Sequence, residues 1–162
     1  MVQKRYVLQI FTDYNQFLVQ DENAIFDYSA NIWTDSTIAD MVAVTPGIIY
    51  VGTARPMSVP VAVEIHDSEP RESLDRWDHV TECGIELRSG TLVIIGTTDY
   101  FPKAKRITVK PTIYRARIFY SKLGSISEDG LDGDDNYKIS VWPGSYVEPV
   151  VIKRKAIQTL GA

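Results

Sequence analysis

The residues with the clearest capacity for chemistry in this chain are five carboxylates within one short, glycine-containing stretch. They are Glu128, Asp129, Asp132, Asp134 and Asp135. Such a cluster can bind a cation, or it can present negative charge to a basic partner. The stretch lies between two predicted strands and is longer than a tight turn, which is typical of a functional loop.

Three residues of this stretch have the spacing of calcium ligands. Asp132, Asp134 and Asn136 occupy the first, third and fifth positions of the EF-hand loop pattern. The sixth position requires glycine but is Tyr137, and the twelfth requires glutamate but is Pro143. No helix is predicted on either side. An EF-hand is therefore excluded, whereas a looser calcium site on this loop remains an alternative.

The candidate nucleophile and bases do not form a catalytic set. The chain has two histidines, His66 and His79, and one cysteine, Cys83. His79 and Cys83 share a face of one predicted strand but lie roughly 13 Å apart, which is too far for direct proton transfer. These three residues lack zinc-ligand spacing, and no phosphate-binding loop, nucleophile elbow or zinc-protease helix occurs. The sequence therefore predicts no catalytic residue, no enzyme activity and no cofactor apart from the calcium alternative.

Charge is distributed in blocks along the chain. Residues 100–127 contain seven basic side chains and no acidic one, whereas residues 6–54 contain six acidic side chains and no lysine or arginine. Such blocks either neutralise one another inside the fold or form patches that steer a charged partner. Arg115, Arg117 and Phe119 share a predicted strand face, as in a nucleic-acid stacking platform. The net charge of −4 argues against direct nucleic-acid binding.

The elements that must position these residues are almost all strands, because short β-prone runs with period-two alternation follow one another without a βαβ rhythm. The predicted strands are 7–11, 16–20, 48–53, 59–66, 77–87, 92–95, 106–109, 112–121, 137–142 and 150–155. The first two are expected to form a hairpin. Thr34 or Asp35 is expected to begin one short helix that ends near Val42. Eight to ten strands and one short helix predict a single all-β domain over residues 1–162, either an antiparallel β-sandwich or a Greek-key barrel.

The cysteine content and the N-terminal segment together predict the cellular compartment of the protein. A single cysteine cannot form an intramolecular disulfide, which fits a reducing compartment. The opening MVQKRYVLQIFTDY has no apolar run long enough for a signal peptide or a membrane span. The sequence therefore predicts a cytoplasmic protein without membrane association, and it leaves the oligomeric state open.

Four short segments run along the chain in an order that resembles one protein family. They are Asn15-Gln16-Phe17 through Gln20, Trp33-Thr34-Asp35, Val80-Thr81-Glu82 with Gly84-Ile85, and Tyr114–Tyr120. In this order they resemble the ComJ (Nin) family, which contains inhibitors of the bacterial DNA-entry nuclease. The resemblance covers roughly residues 15–120. It implies a small, acidic, non-catalytic β protein that binds a nuclease.

The leading hypothesis is therefore a non-catalytic protein-binding module of the inhibitor or immunity type. It would bind a bacterial nuclease or toxin through an acidic surface, since clustered carboxylates can occupy a positive DNA-binding groove. The predicted contact residues are the five loop carboxylates, with Tyr137 and Trp142 as aromatic anchors. The alternative for both aromatics is a position in the core, and for Tyr137 the core is the favoured interpretation. The alternative is a calcium- or small-ligand-binding β-sandwich protein that uses the acidic loop of residues 127–136.

Overall fold

A computed structural model of the protein describes residues 2–156. These residues form one α-helix, α1 (Asp35–Asp40), and eleven strands. The strands are β1 (Val2–Phe11), β2 (Gln16–Asp21), β3 (Val42–Thr45), β4 (Ile48–Gly52), β5 (Ser58–His66), β6 (His79–Leu87), β7 (Thr91–Gly96), β8 (Lys105–Thr108), β9 (Thr112–Ser121), β10 (Asn136–Pro143) and β11 (Val150–Lys153). The predicted domain of residues 1–162 also includes Met1 and residues 157–162, which lie outside the described residues. Within residues 2–156, no helix has the length and apolarity needed to cross a membrane.

The strands build two sheets that share one hydrophobic core. The six-stranded sheet has the order β1-β5-β10-β9-β6-β11, and the five-stranded sheet has the order β3-β4-β2-β7-β8. Neighbouring strands are antiparallel, except that β5 and β10 are parallel. The inner faces of both sheets contribute to a single cluster of buried side chains. The sheets are not closed, so the predicted all-β sandwich with one short helix is confirmed and the barrel is not the observed form.

Two local predictions were wrong. The helix was expected to reach Val42, but Met41 takes a left-handed conformation with φ of 60° and ends α1, and the next residues form β3 beside β4. This strand raises the number of strands to eleven. The first two strands do not form a hairpin, because β1 pairs with β5 in one sheet and β2 pairs with β4 and β7 in the other. The alternation of side chains along a strand shows which of them share a face, but it does not show which other strand pairs with it.

The outer face of the five-stranded sheet is covered by the segment of residues 22–34. Phe26, Ile32 and Trp33 pack on a second apolar cluster that contains Tyr50 and Val93. The covering segment explains why residues 92–95 form a continuous apolar run instead of an alternating one, since both faces of β7 are buried.

The outer face of the six-stranded sheet carries charged side chains in register. One row across the sheet runs through Arg5, Glu64, Ser140, Arg117 and Glu82. Arg5 lies 3.4 Å from Glu64, and Arg117 lies 2.8 Å from Glu82. Opposite charges that face each other across antiparallel strands stabilise their pairing. The basic block of the sequence is therefore partly neutralised within the sheet.

The segment of residues 67–78, which we call the strap, covers this charged face. Glu69 of the strap pairs with Arg117 at 2.6 Å, and Trp77 packs on Phe119 with ring centroids 5.1 Å apart. Phe119 is buried under the strap, and the side chain of Arg117 is only 11% exposed. The predicted stacking platform on β9 is therefore not an open surface.

Candidate functional site

The acidic loop connects β9 to β10 and is held closed by its own hydrogen bonds. The Ser127 amide donates to the Asp132 carbonyl at 2.8 Å, and the Asp134 amide donates to the Ser125 hydroxyl at 2.8 Å. Gly133 allows a close approach, because a Cβ atom there would lie 2.7 Å from the Cδ1 atom of Ile126. The loop thus presents its carboxylates from a defined backbone.

Asp129 is engaged within this loop. Its carboxylate accepts hydrogen bonds from the Ser127 hydroxyl at 2.6 Å and from the Leu131 amide at 3.0 Å. These bonds, that of Ser127 first, lower the pKa of Asp129 below its ordinary value. The side chain therefore shapes the loop and remains exposed at the surface, where a partner can also reach it.

Asp135 and Tyr137 are buried at the base of the loop, which places Asp135 away from the exposed acidic surface and Tyr137 in the core position that strand alternation favours. Asp135 is fully buried, and its carboxylate accepts from Arg55 Nε at 2.6 Å and from the Tyr137 hydroxyl at 2.6 Å. The Tyr137 hydroxyl accepts in turn from the Ala54 amide at 2.8 Å. Burial raises the pKa of Tyr137 above its ordinary value. These two side chains anchor the loop to the 53–55 segment.

Trp142 also differs from its predicted role. It lies on the outer face of β10 as alternation predicts, but it is 4% exposed and the Arg117 guanidinium stacks 5.0 Å from its ring centroid. The ring is therefore covered by its neighbours, as the core alternative for the two aromatics allows. Of the seven predicted contact residues, the exposed ones are Glu128, Asp129, Asp132 and Asp134.

The predicted calcium ligands lie in the same loop. Asp132 and Asp134 are exposed, while Asn136 is half-buried and its side-chain amide donates to the Asp134 carbonyl at 3.4 Å. Within residues 2–156, no three His, Cys, Asp or Glu side chains are grouped closely enough to hold a metal ion. The calcium site stays a prediction from sequence.

Next to this loop, the connections at one end of the sandwich enclose a groove of about 1180 Å³ that is open to solvent on one side. We call it the end groove. Residues from several separate connections line it. They lie in the β1–β2 turn, around helix α1, at the end of β4, in the strap, at the start of the acidic connection, and at the end of β11 and just after it. The apolar lining residues are Tyr14, Trp33, Ile38, Met41, Trp77, Leu123 and Ile126. Tyr14 is 73% exposed and Ile38 is 58% exposed. Large apolar side chains exposed around a concave surface are typical of a binding site.

The backbone around the end groove is strained. In the described chain, the non-glycine residues with positive φ are Tyr14, Asn15, Met41 and Lys122. The first three line the end groove, and Lys122 immediately precedes its Leu123 wall. A left-handed conformation costs a non-glycine residue about 1–2 kcal/mol, and such residues concentrate at functional sites. This concentration supports the end groove as the candidate site.

Hydrogen bonds hold two of these strained residues in place. The Asn15 carbonyl accepts from the Thr53 amide at 2.9 Å, and the Asn15 side chain donates to the Thr53 carbonyl at 3.2 Å. The Met41 carbonyl accepts from the Gly52 amide at 2.9 Å and from the Tyr120 hydroxyl at 2.6 Å. The shape of the end groove is therefore established before any partner binds.

The buried His79 ring connects the end of helix α1 to the segment after β11, and both of these elements contribute to the lining of the end groove. Its Nε2 atom lies 2.7 Å from the Asp40 carbonyl at the end of α1, and its Nδ1 atom accepts from the Lys155 amide at 3.0 Å. A neutral ring protonated at Nε2 satisfies both bonds. Burial is the first cause that lowers the pKa of His79, and the charges of Lys155 and Arg154 lower it further. His79 is thus a structural residue of the site.

The end groove is lined by both acidic and basic side chains. Asp75 and Asp78 lie in the strap wall, and Asp78 accepts from the Leu123 amide at 2.8 Å, which places this wall beside the acidic loop. Lys153, Arg154 and Lys155 line another part. Arg154 is paired with Asp40 at 2.7 Å. Lys153 Nζ donates to the Leu74 carbonyl of the strap at 3.0 Å, so basic and acidic side chains lie close together around the groove.

The remaining candidates for catalysis lie apart from this site. Cys83 is fully buried in the core, and burial raises the pKa of its thiol to about 12, so it is not a thiolate near neutral pH. His66 is buried 3.2 Å from Glu64 on the charged outer face of the six-stranded sheet. Neither residue lines the end groove. Sequence reasoning singled out the acidic loop but missed the end groove, because its lining comes from separate connections whose residues have no common motif.

Comparison with solved structures finds this fold in two proteins. The crystal structure of ComJ, inhibitor of the DNA degrading activity of NucA, from Bacillus subtilis, matches with a TM-score of 0.62 and 18% sequence identity, covering 89% of this chain and 98% of that chain. The structure of the crocagin biosynthetic gene J product matches with a TM-score of 0.55 and 20% identity, covering 87% of this chain and 96% of that chain. No protein-family model and no curated protein sequence matches the chain. The resemblance to the ComJ family is thus confirmed at the level of the fold.

Proposed function

We propose that this chain is a non-catalytic, inhibitor-type protein that binds a nuclease through the acidic loop and the adjoining end groove. The observation that carries the proposal is the placement of the exposed carboxylates Glu128, Asp132 and Asp134 beside a preformed apolar groove. Standard protein interfaces combine an apolar centre with a charged rim. The fold is similar to that of ComJ, an inhibitor of a DNA-degrading activity, which supports a nuclease as the class of partner.

The carboxylates of the acidic loop can compete with DNA for the basic surface of a nuclease. A nuclease binds the phosphate backbone of DNA through basic side chains. Exposed carboxylates on an ordered loop can occupy the same positions as the phosphates and so compete with the substrate. The backbone groups of Asp132 and Asp134 are hydrogen-bonded within the loop. Because the side-chain carboxylates of Glu128, Asp132 and Asp134 are exposed and form no hydrogen bond or ion pair among the described residues, their charge is available to the nuclease. Attraction between such surfaces mainly raises the association rate.

The test begins with tagged protein used to capture proteins from its native lysate at low and at high salt. A nuclease retained at low salt is then purified, and its degradation of plasmid DNA is measured with and without this chain. We expect inhibition by the wild-type chain, and at least a tenfold weaker inhibition by the double charge reversal D132K/D134K.

The matched control is D27K/E148K, which has the same change in net charge at exposed positions outside the end groove. It should inhibit as the wild type does. Equal inhibition by all three proteins would remove the acidic loop from the mechanism. A chain that retains no nuclease and inhibits none would refute the proposal itself.

A second candidate function is the binding of a small ligand in the end groove. Its volume of about 1180 Å³ is large enough for a small molecule, and its lining combines large apolar side chains with acidic and basic ones. A small-molecule screen by thermal shift tests this candidate, because a ligand that binds only the folded chain raises Tm. A hit counts only if I38S, which alters an exposed lining residue, abolishes the shift.

A further inference from the structure

Two carboxylates on the charged outer face of the six-stranded sheet, Glu64 and Glu82, each face two cations. The side-chain pairs are Glu64 with Arg5 at 3.4 Å and with Lys138 at 3.6 Å, and Glu82 with Arg117 at 2.8 Å and with Arg115 at 3.4 Å. Four cations therefore share two carboxylates, and this part of the sheet needs further negative charge for neutrality.

The strap supplies that negative charge. Glu69 pairs with Arg117 at 2.6 Å, and Glu72 pairs with Lys138. The Lys138 side chain is 8% exposed, so its charge depends on a nearby counter-ion. The Pro70 carbonyl accepts from Arg117 Nη1 at 3.3 Å. The strap thus occupies the sheet face as an acidic peptide would, with two carboxylates three residues apart and a backbone acceptor between them.

The closed strap leaves one buried donor on this face unused. Ser140 lies in register between Glu64 and Arg117. Its neighbours Ile139 and Val141 belong to the core, so alternation places Ser140 on the outer face. Ser140 is fully buried, and its hydroxyl has no hydrogen-bond partner among the described residues. A carboxylate that reaches this hydroxyl would accept the missing hydrogen bond.

The middle of the strap is held to the sheet by side chains. Besides the two ion pairs, Lys153 Nζ donates to the Leu74 carbonyl at 3.0 Å. At the end of the strap, the Asp78 amide donates to the Tyr120 carbonyl at 2.9 Å. Segments held by side chains open at a lower free-energy cost than strands held in a ladder. The strap can therefore lift from this face while both sheets stay folded.

We propose that the face formed by Arg117, Lys138 and Ser140 binds an acidic segment of another protein, and that the strap is the internal ligand that keeps this site closed. The strap carboxylates and the incoming segment compete for the same cations, so the site is available when the strap lifts. A polypeptide is the ligand class, because the resident ligand uses a backbone carbonyl as well as its carboxylates. The three residues do not line the end groove, so this site is separate from the proposed nuclease contact.

A thiol placed beneath the strap measures its opening. Ser140→Cys changes the side-chain size little, and Cys83 in the core reports opening of the sandwich in the same molecule. Both thiols are labelled with iodoacetamide in native buffer, and the rates are read by mass spectrometry. We expect the introduced thiol to react about tenfold faster than Cys83, and about tenfold faster again when E69Q/E72Q is added. The matched control E128Q/E148Q has the same change in net charge at exposed positions and should leave the rate unchanged.

Two synthetic peptides test the ligand. The first has the sequence of residues 67–78, and the second has glutamine at both glutamate positions. In fluorescence anisotropy, E69Q/E72Q should bind the first peptide about tenfold more tightly than the second. The wild type should bind the first peptide more weakly, because its own tethered strap competes. If E69Q/E72Q does not fold, E69Q alone replaces a carboxylate that is 61% exposed and should bind the first peptide about threefold more tightly than the wild type does.

Three results would overturn the inference. If the introduced thiol reacts no faster than Cys83, the strap does not open apart from the sandwich. If the two peptides bind equally or neither binds, the face does not recognise carboxylates. If a single-stranded oligothymidylate binds E69Q/E72Q more tightly than the first peptide, the ligand is a nucleic acid and not an acidic segment. None of these results bears on nuclease inhibition, which D132K/D134K tests separately.

Discussion

Replacing Asp135 by asparagine tests whether the base of the acidic loop is a buried ion pair and not a partner contact. The substitution keeps the shape of the side chain but removes the charge that faces Arg55 at 2.6 Å. The Arg55 side chain is 12% exposed, so its guanidinium would lose its counter-ion while remaining largely shielded from water. Removing one partner of a buried ion pair costs about 3–5 kcal/mol, and we expect the lower end because part of the guanidinium reaches solvent.

This loss converts into a measurable shift in Tm. For a chain of this size, each kcal/mol changes Tm by about 2–4 °C, so D135N should melt roughly 6–12 °C below the wild type in thermal unfolding followed by circular dichroism. The control is D134N, which changes the neighbouring, exposed carboxylate and should stay within about 0.5 kcal/mol of the wild type.

A double variant measures the interaction free energy between Arg55 and Asp135. R55Q/D135N removes both charges, so its loss of unfolding free energy should be smaller than the sum of the two single losses. The reasoning is refuted if D135N and D134N both melt within about 2 °C of the wild type. It is also refuted if the two single losses simply add in the double variant, because a direct ion pair would then be absent.

Three further predictions concern titration and ligand binding. Because folding lowers the pKa of His79, this residue stabilises the fold above the unfolded pKa of about 6.5, and the stabilisation is lost as pH falls through the lower folded pKa. Urea unfolding at a series of pH values should show this loss in the wild type and a flatter profile in H79Q, and equal profiles would contradict it. The Cys83 thiol, whose pKa burial raises to about 12, should not react with Ellman's reagent in the native state and should react fully in denaturant, so rapid native labelling would refute its burial. Calcium at about 1 mM should raise Tm by less than about 1 °C, because no group of carboxylates within residues 2–156 is arranged to hold it; a larger rise that D132N/D134N removes would establish the calcium site.

The sequence by itself determined the fold class and the faces of its strands. The alternation after the acidic loop predicted Tyr137 and Val141 on one face and Lys138 and Trp142 on the other, and the first pair indeed lies in the core between the sheets. This success has a local cause, since successive side chains of a strand point to opposite faces whatever the strand pairs with. The same local rule gave the all-β class, because short alternating runs without long amphipathic helices leave few other architectures.

Only the tertiary structure decided which acidic residues are available to a partner. Asp134 and Asp135 are adjacent and chemically alike, yet one is exposed and the other is fully buried. The difference comes from Arg55, a residue 80 positions away that the fold brings to the base of the loop. The end groove has the same origin, because its walls come from connections that meet only after both sheets have formed. The local sequence of each strand is enough to set its side-chain periodicity. The burial of a loop residue and the shape of a cavity depend instead on which distant segments the two sheets bring together.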